Sequence, residues 1–150
     1  MSVKQRTLKS EFSLNGKGLH KGKQVTATFK PAAENFGYRK RRMDLEGSPE
    51  IPALAEYVKL MDRASCLEKD GVCVFTMEHA MAALYGSGID NCLIELSGEE
   101  FPILDGSAKY YVEEIEKVGF EEQKADRRYF TVKEQMEFCS EDGQIGRAHV

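Results

Sequence analysis

Residues 76–96 read TMEHAMAALYGSGIDNCLIEL, a helical pattern followed by a glycine turn and an apolar strand pattern. In its first half, apolar side chains recur at the spacing of one α-helical face. These are Met77, Ala80, Met81 and Leu84. Thr76 is predicted as the N-cap of this helix, and Gly86 or Gly88 as its end. Residues 92–96 predict a compact strand, so the segment predicts a helix packed on a sheet.

The flanking sequence predicts strands before this segment and a second helix after it. Period-two alternation predicts strands at 25–30 and 51–58, and residues 38–43 are interpreted as another strand. Asp70-Gly71 predicts a hairpin turn, because these residue types accept the positive φ of a tight turn. Ser107 is predicted to cap the second helix. That helix has an apolar stripe of Ala108, Tyr111, Val112, Ile115 and Val118. This order predicts an α+β fold with a mainly antiparallel sheet and two helices packed on one of its faces.

The remaining segments predict a domain boundary. Residues 1–120 are interpreted as one domain, and the polar segment 121–128 as a linker. Residues 129–143 are interpreted as the first strand of a truncated second domain, because apolar residues recur there. Residues 144–150 fit no continuation of that strand and are interpreted as a non-native tail.

The charge composition argues against some classes of binding partner. The 150 residues carry a net charge of −4, which argues against nucleic acid as a main partner. The one basic run, residues 39–42, is interpreted as a solvated face. The alternative is long-range attraction of an anionic substrate or lipid surface.

Cysteine usage and hydropathy point to the cytoplasm. None of the four cysteines forms a C-x-x-C pair, and all are interpreted as reduced. The N-terminal residues lack the apolar region of a signal peptide. No stretch approaches the length of a membrane span, so no spanning segment is expected.

Glu78 and His79 are the pair that most resembles a reactive site. With Thr76 as N-cap, they occupy the first helical turn and point away from the apolar stripe. The partial positive charge of a helix N-terminus suits a carboxylate and a neutral imidazole, the form that binds metals. Two readings remain open. Glu78 and His79 are a general base and a metal ligand, or they are exposed residues of which Glu78 complements the helix dipole.

Residues 16–22, GKGLHKG, form a glycine-punctuated loop before a strand. The loop either presents His20 to a ligand or is a flexible turn with an exposed histidine. It lacks the G-x-G-x-x-G spacing and does not precede a helix, which excludes dinucleotide binding. Residues 102–108, PILDGSA, predict a turn and helix cap in which Asp105 and Ser107 are structural.

Five motifs in this order resemble the UDP-3-O-acyl-N-acetylglucosamine deacetylases of lipid A synthesis. They are KQRTL at 4–8, GKGLHKG at 16–22, TMEH at 76–79, GIDN at 88–91 and PILDGSA at 102–108. The resemblance runs from about residue 4 to 138. Residues 37–39 and 81–85 are similar to the Bacteroidota-type version, which is commonly fused to a 3-hydroxyacyl-carrier-protein dehydratase.

The resemblance implies a zinc-dependent amide hydrolase with two similar α+β domains and an active site between them. It implies that His79 is the first zinc ligand, that Glu78 is the general base, and that His20 lies near the substrate in a supporting role. The implied substrate is UDP-3-O-acyl-N-acetylglucosamine, which loses its N-acetyl group as acetate.

One departure from the family bears on activity. The family completes its zinc site with a histidine and an aspartate from an H-K-x-x-x-D-type segment of the second domain, and this sequence has no such segment. The expectation is therefore an N-terminal fragment that needs its missing second domain and is inactive alone. The alternative is a non-catalytic α+β module that binds a nucleotide-sugar or a protein. Assembly of two copies is the least favoured reading.

Overall fold

The computed structural model describes residues 3–61, 64–139 and 145–148. Two α-helices are described, α1 (Glu78–Gly86) and α2 (Lys109–Val118), and one short 3-10 helix at Ala55–Tyr57. The strands, in chain order, are β1 (Lys4–Leu8), β2 (Phe12–Lys17), β3 (Gln24–Pro31), β4 (Tyr38–Arg42), β5 (Glu50–Pro52), β6 (Val58–Met61), β7 (Ala64–Lys69), β8 (Val72–Phe75), β9 (Cys92–Leu96), β10 (Phe120–Asp126), β11 (Met136–Cys139) and β12 (Ile145–Ala148).

A five-stranded sheet in the order β2-β3-β9-β4-β5 forms the centre of the fold. Its neighbours pair antiparallel except β4 and β9, which are parallel. Alternate residues of β3 and β9 are buried, as expected where one face of a sheet packs on a core. They are Val25, Ala27 and Phe29 on β3, and Cys92, Ile94 and Leu96 on β9.

Both helices contribute to the same core as this face. The buried residues of α1 are Ala80, Ala83 and Leu84, and those of α2 are Tyr111 and Ile115. The Phe29 ring lies 5.8 Å from the ring of Tyr111, in an edge-on arrangement that aromatic pairs prefer. The predicted α+β class, with a mainly antiparallel sheet and two helices, is confirmed. Within the described part of the chain, neither helix is long and apolar enough to cross a membrane.

The opposite face of the sheet is polar. Glu95 on β9 accepts an ion pair from Lys30 at 2.7 Å and one from Arg41 at 3.0 Å. Arg41 also donates to Glu50 on β5, so charges run across four strands. Such partly exposed ion pairs add little stability singly, but they give this face a charged, polar surface.

The basic run at residues 39–42 is therefore only half solvated, and the prediction of a solvated face is wrong for two of its residues. Because strand residues alternate between faces, Lys40 and Arg42 point into the core side. The buried guanidinium of Arg42 donates hydrogen bonds there to Asp44 and to the carbonyl of Cys73, which compensate its charge. Lys40 is fully buried, and its Nζ has Met81 Sδ at 3.1 Å as its hydrogen-bond partner.

The hairpin prediction is confirmed, whereas the strand prediction for residues 51–58 is wrong. Asp70 and Gly71 connect β7 and β8 with φ values of 51° and 77°, as a two-residue hairpin turn requires. Residues 51–58 instead contain the end of β5, the 3-10 helix and the start of β6. Alternation there reflects three short elements in sequence rather than one continuous strand.

The segment predicted as a linker begins as a strand. Residues 120–126 form β10, which pairs antiparallel with β1 at the other end of the chain. Their polar composition reflects an exposed two-stranded ribbon, in which most β10 side chains meet solvent. The ribbon is held to the main sheet through Asn91, whose amide donates to Gln5 and Gln123 at 2.9 and 2.7 Å.

The last described strands also differ from prediction. The strand predicted from Phe130 onward begins only at Met136, as β11. It pairs antiparallel with β12, which lies in the segment predicted to fit no strand. Residues 140–144 and 149–150 lie outside the described residues, so the rest of the predicted tail is not among them.

Candidate functional site

The start of α1 differs from the sequence prediction by one residue. The helix begins at Glu78, its N-cap residue is Met77, and the carbonyl of Met77 accepts the N–H of Met81 at 2.9 Å. Thr76 is therefore not the N-cap. Its φ is 55°, outside the extended region that an N-cap residue typically adopts, and its buried hydroxyl donates to Glu100 Oε1 at 2.9 Å. The prediction was wrong because Thr76 has a left-handed backbone conformation, in which its hydroxyl binds a distant carboxylate.

Glu78 and His79 are thus the first two residues of α1. Glu78 is exposed and His79 is partly buried, while the next residue, Ala80, is fully buried. Glu78 lies where the partial positive charge of the helix end is greatest. The apolar stripe therefore fixes the helix on the core while leaving both side chains outside it.

The other end of α1 follows the predicted glycine signal. The helix ends at Gly86, and Gly88 adopts a φ of 71°. The N–H of Gly88 donates to the carbonyl of Tyr85, and that of Ile89 to the carbonyl of Leu84, each at 3.0 Å. This is the Schellman arrangement, in which a left-handed glycine closes the helix.

The glycine loop at residues 16–22 connects β2 to β3. The N–H of Gly18 donates to the carbonyl of Lys23 at 2.9 Å, and the N–H of Gly22 to that of Gly18 at 3.1 Å. Gly22 has a φ of 62°, which only glycine adopts at low cost. His20 is exposed at the tip of this loop. The loop is a compact, hydrogen-bonded turn.

Glu100 joins the loop to the residues that precede α1. This carboxylate is only 4% exposed, and its oxygens accept three hydrogen bonds. The donors are the N–H of His20 at 2.9 Å, the N–H of Lys21 at 3.3 Å and the hydroxyl of Thr76 at 2.9 Å. Burial alone would raise the pKa of Glu100, but these hydrogen bonds, with that of His20 the strongest, hold it below its ordinary value.

The structure therefore brings the two sequence-predicted sites together. The loop of His20 and the residue two before Glu78 share one carboxylate, although they are more than fifty positions apart in the chain. Sequence reasoning missed Glu100. The available signal was indirect: a glycine loop exposes backbone N–H groups that need an acceptor, and Glu100 belongs to a short acidic stretch beside an apolar strand.

Replacement of Gly18 by alanine is expected to destabilise the chain by about 1–3 kcal/mol. A Cβ at this position would lie 2.3 Å from Glu100 Oε2, so the carboxylate would have to move away from its donors. Urea unfolding measures the change. The control is Gly86→Ala, where a Cβ meets no atom within 4 Å. Equal midpoints for the two variants would contradict the close packing of Gly18 on Glu100.

The segment between Glu100 and α2 is fixed by hydrogen bonds that its own residues make with each other and with α2. Asp105 Oδ1 accepts the N–H of Ser107 at 3.0 Å and its hydroxyl at 2.9 Å, and Ser107 Oγ accepts the N–H of Lys109 at 3.1 Å. The N-cap of α2 is Ala108, one position later than predicted. The hydroxyl of Tyr111 donates to the carbonyl of Pro102 at 2.6 Å. These contacts fix the path between β9 and α2.

The described residues do not assemble a metal site by themselves. A catalytic zinc ion is normally held by three protein ligands. Within residues 3–61, 64–139 and 145–148, no group of three or more histidine, cysteine, aspartate or glutamate side chains is placed to hold a metal ion. The described residues therefore do not fit a complete zinc site.

The known proteins that this chain matches point to one family. Residues 5–149 match the family model of LpxC, UDP-3-O-acyl N-acetylglycosamine deacetylase. The chain is 57% identical over 139 residues to the bifunctional enzyme LpxC/FabZ of Bacteroides thetaiotaomicron, covering 93% of this chain and 30% of that protein. It is 54% identical over 134 residues to the enzyme of that name from Porphyromonas gingivalis, covering 89% of this chain and 29% of that protein.

A relative without the bifunctional name also matches over most of this chain. The chain is 43% identical over 133 residues to the UDP-3-O-acyl-N-acetylglucosamine deacetylase of Idiomarina loihiensis, covering 88% of this chain and 44% of that protein. The chain thus spans less than half the length of the curated relatives it matches.

Proposed function

The chain belongs to the UDP-3-O-acyl N-acetylglycosamine deacetylase family, and on that premise we propose that it supplies part of the active site of such an enzyme. The proposed enzyme hydrolyses the N-acetyl group of UDP-3-O-acyl-N-acetylglucosamine in lipid A synthesis. In it, Glu78 is the general base, His79 is a ligand of the zinc ion, and His20 lies beside the substrate.

One observation carries this proposal. Glu100 binds both the loop of His20 and the residue Thr76 that precedes Glu78 and His79. Residues of two separate motifs, the glycine loop and TMEH, are thereby held together, with Glu78 exposed. Glu78 offers a carboxylate, a side chain that can act as a general base.

The zinc site of the proposed enzyme is shared with residues beyond those described. When bound, zinc supplies Lewis-acid chemistry to an amide hydrolase. Of the described residues His79 alone is proposed to contribute a ligand, since no cluster of three donors surrounds it. The remaining ligands are proposed to come from a second domain.

The helical side of the fold is the proposed docking surface for that second domain. Tyr85 on α1 is 83% exposed and Tyr110 on α2 is 42% exposed. Exposed apolar rings on adjacent helices form a surface that a partner would cover. The opposite, charged face of the sheet is less suited to this, because burying its ion pairs would require their desolvation.

We propose the cytoplasm as the location of the protein. Cys73 and Cys92 carry thiols rather than disulfides, as is usual in a reducing compartment. Burial raises the pKa of the Cys92 thiol to about 12, so this cysteine is unreactive and packs as a small apolar residue.

Zinc binding by the 150-residue chain tests whether the zinc ligands are divided between this chain and a second domain. We expect binding that is weak, substoichiometric and unchanged by His79→Ala, because a single imidazole cannot hold the ion tightly. Metal content after gel filtration and competition with a chelator measure it. Tight one-to-one binding that is lost in His79→Ala would contradict the proposal, since it would require a complete site within this chain.

A further inference from the structure

We propose that Glu100 is a positioning residue that couples the His20 loop to the start of α1, so that the two halves of the site move and order together. The inference rests on the proposed function only for the roles of His20, Glu78 and His79. The coupling itself follows from one buried carboxylate that binds both segments.

The strained backbone of Thr76 is the first argument. A β-branched residue with a φ of 55° is rare, because its side chain crowds the backbone in this conformation. Such strain persists only where the surroundings fix it. The hydroxyl of Thr76, which is itself buried, is held by Glu100 at 2.9 Å. The conformation of Thr76 sets the direction in which the chain enters α1 at Met77.

The loop side is held equally closely. Glu100 Oε1 accepts the N–H of His20 and also the hydroxyl of Thr76, both at 2.9 Å. One oxygen atom therefore bonds both segments. Gly18 has no side chain, and this allows the loop backbone to approach the carboxylate of Glu100.

The backbone on both sides of Glu100 is held by hydrogen bonds to Phe75. The N–H of Phe75 donates to the carbonyl of Glu99 at 2.9 Å, and the N–H of Phe101 donates to the carbonyl of Phe75 at 3.1 Å. Glu100 thus extends from a backbone bridge between the end of β8 and the segment after β9. With its own backbone anchored, its carboxylate can transmit a displacement of Thr76 to His20, and the reverse.

Amide hydrogen exchange of the 150-residue chain tests this coupling. Thr76→Val keeps the shape of the side chain but removes the hydroxyl, and Thr76→Ser keeps the hydroxyl. We expect Thr76→Val to speed exchange of the His20 N–H by about tenfold, relative to exchange in the central sheet, and Thr76→Ser to leave it within about twofold. Glu100→Gln is expected to speed it too, and to shift the ring resonances of His79.

Glu99→Gln is the matched control. Glu99 is the neighbouring carboxylate, and it pairs with Lys21 on the surface at 2.7 Å. An unchanged His20 exchange rate in Thr76→Val would overturn the proposal, as would His79 shifts in Glu99→Gln as large as those in Glu100→Gln. If Glu100→Gln fails to fold, the Thr76 pair still decides the matter. Neither readout uses metal or substrate, so failure of the coupling and failure of the proposed deacetylase function are separate results.

Discussion

Replacement of Glu78 by glutamine is expected to lower kcat of the proposed deacetylase by about 100- to 10,000-fold, the usual contribution of a general base. The substitution keeps the size and polarity of the side chain but removes its ability to accept a proton. Because Glu78 is exposed and lies at the first position of α1, the fold should tolerate the change. Its effect should therefore appear in kcat and not in the stability of the chain.

The measurement needs an enzyme that contains the rest of the family fold. A suitable one is the Bacteroides thetaiotaomicron relative in which this chain replaces the matching 139 residues, which are 57% identical. Release of acetate from UDP-3-O-acyl-N-acetylglucosamine gives kcat, and zinc content is measured in parallel. The control is Glu116→Gln, an exposed carboxylate on α2. A Glu78→Gln enzyme that keeps more than about a tenth of kcat would exclude Glu78 as the base.

Replacement of Lys40 by methionine is expected to stabilise the chain at pH 7 by up to about 4 kcal/mol. Lys40 is fully buried on the core side of β4, with Met81 Sδ as its hydrogen-bond partner. Burial lowers the pKa of Lys40 from 10.5 to about 7, because the charged form loses its hydration without gaining a carboxylate. Methionine has a similar length, fills the same space and has no charge to desolvate.

The same burial gives stability a characteristic pH dependence. Between the folded-state pKa of about 7 and the unfolded value of 10.5, the unfolded chain binds more protons at Lys40 than the folded chain does. The free energy of unfolding therefore rises with pH above 7, with a slope that approaches about 1.4 kcal/mol per pH unit. Cys92 is the titratable group that faces Lys40. Its raised pKa opposes the trend above its unfolded value of 9.0, so pH 7 to 8.5 is the informative range.

Urea unfolding at several pH values in this range measures both effects. The wild-type midpoint should rise with pH, and the midpoint of Lys40→Met should be higher at pH 7 and nearly constant. Lys17→Met, at an exposed lysine at the end of β2, is the control and should change neither quantity. A wild-type midpoint that is flat from pH 7 to 8.5 would show that Lys40 is compensated or hydrated.

The candidate site was predictable in part. Glu78, His79 and His20 stand out because their residue types occur beside a helix start and in a glycine loop, and both features are local. The part that could not be predicted is the link between them. Glu100 is 80 positions from His20 and 24 from Thr76, and sequence periodicity carries no information about such pairs. The same reason explains why Thr76, a good N-cap by type, instead adopts a left-handed conformation and donates its hydroxyl to Glu100.

The sequence by itself determined the elements whose formation depends on neighbours along the chain. The stripe of α1, its glycine end, the Asp70-Gly71 hairpin and strand β9 follow from side-chain spacing and from the φ values that each residue type tolerates. The tertiary structure decided what depends on distant contacts. It pairs polar residues 120–126 with β1 and buries Lys40 within a run of basic residues. It also places Glu100 where its carboxylate binds two segments at once. The physical reason is that burial and hydrogen-bond partners are set by which surfaces meet in space, and local sequence does not specify them.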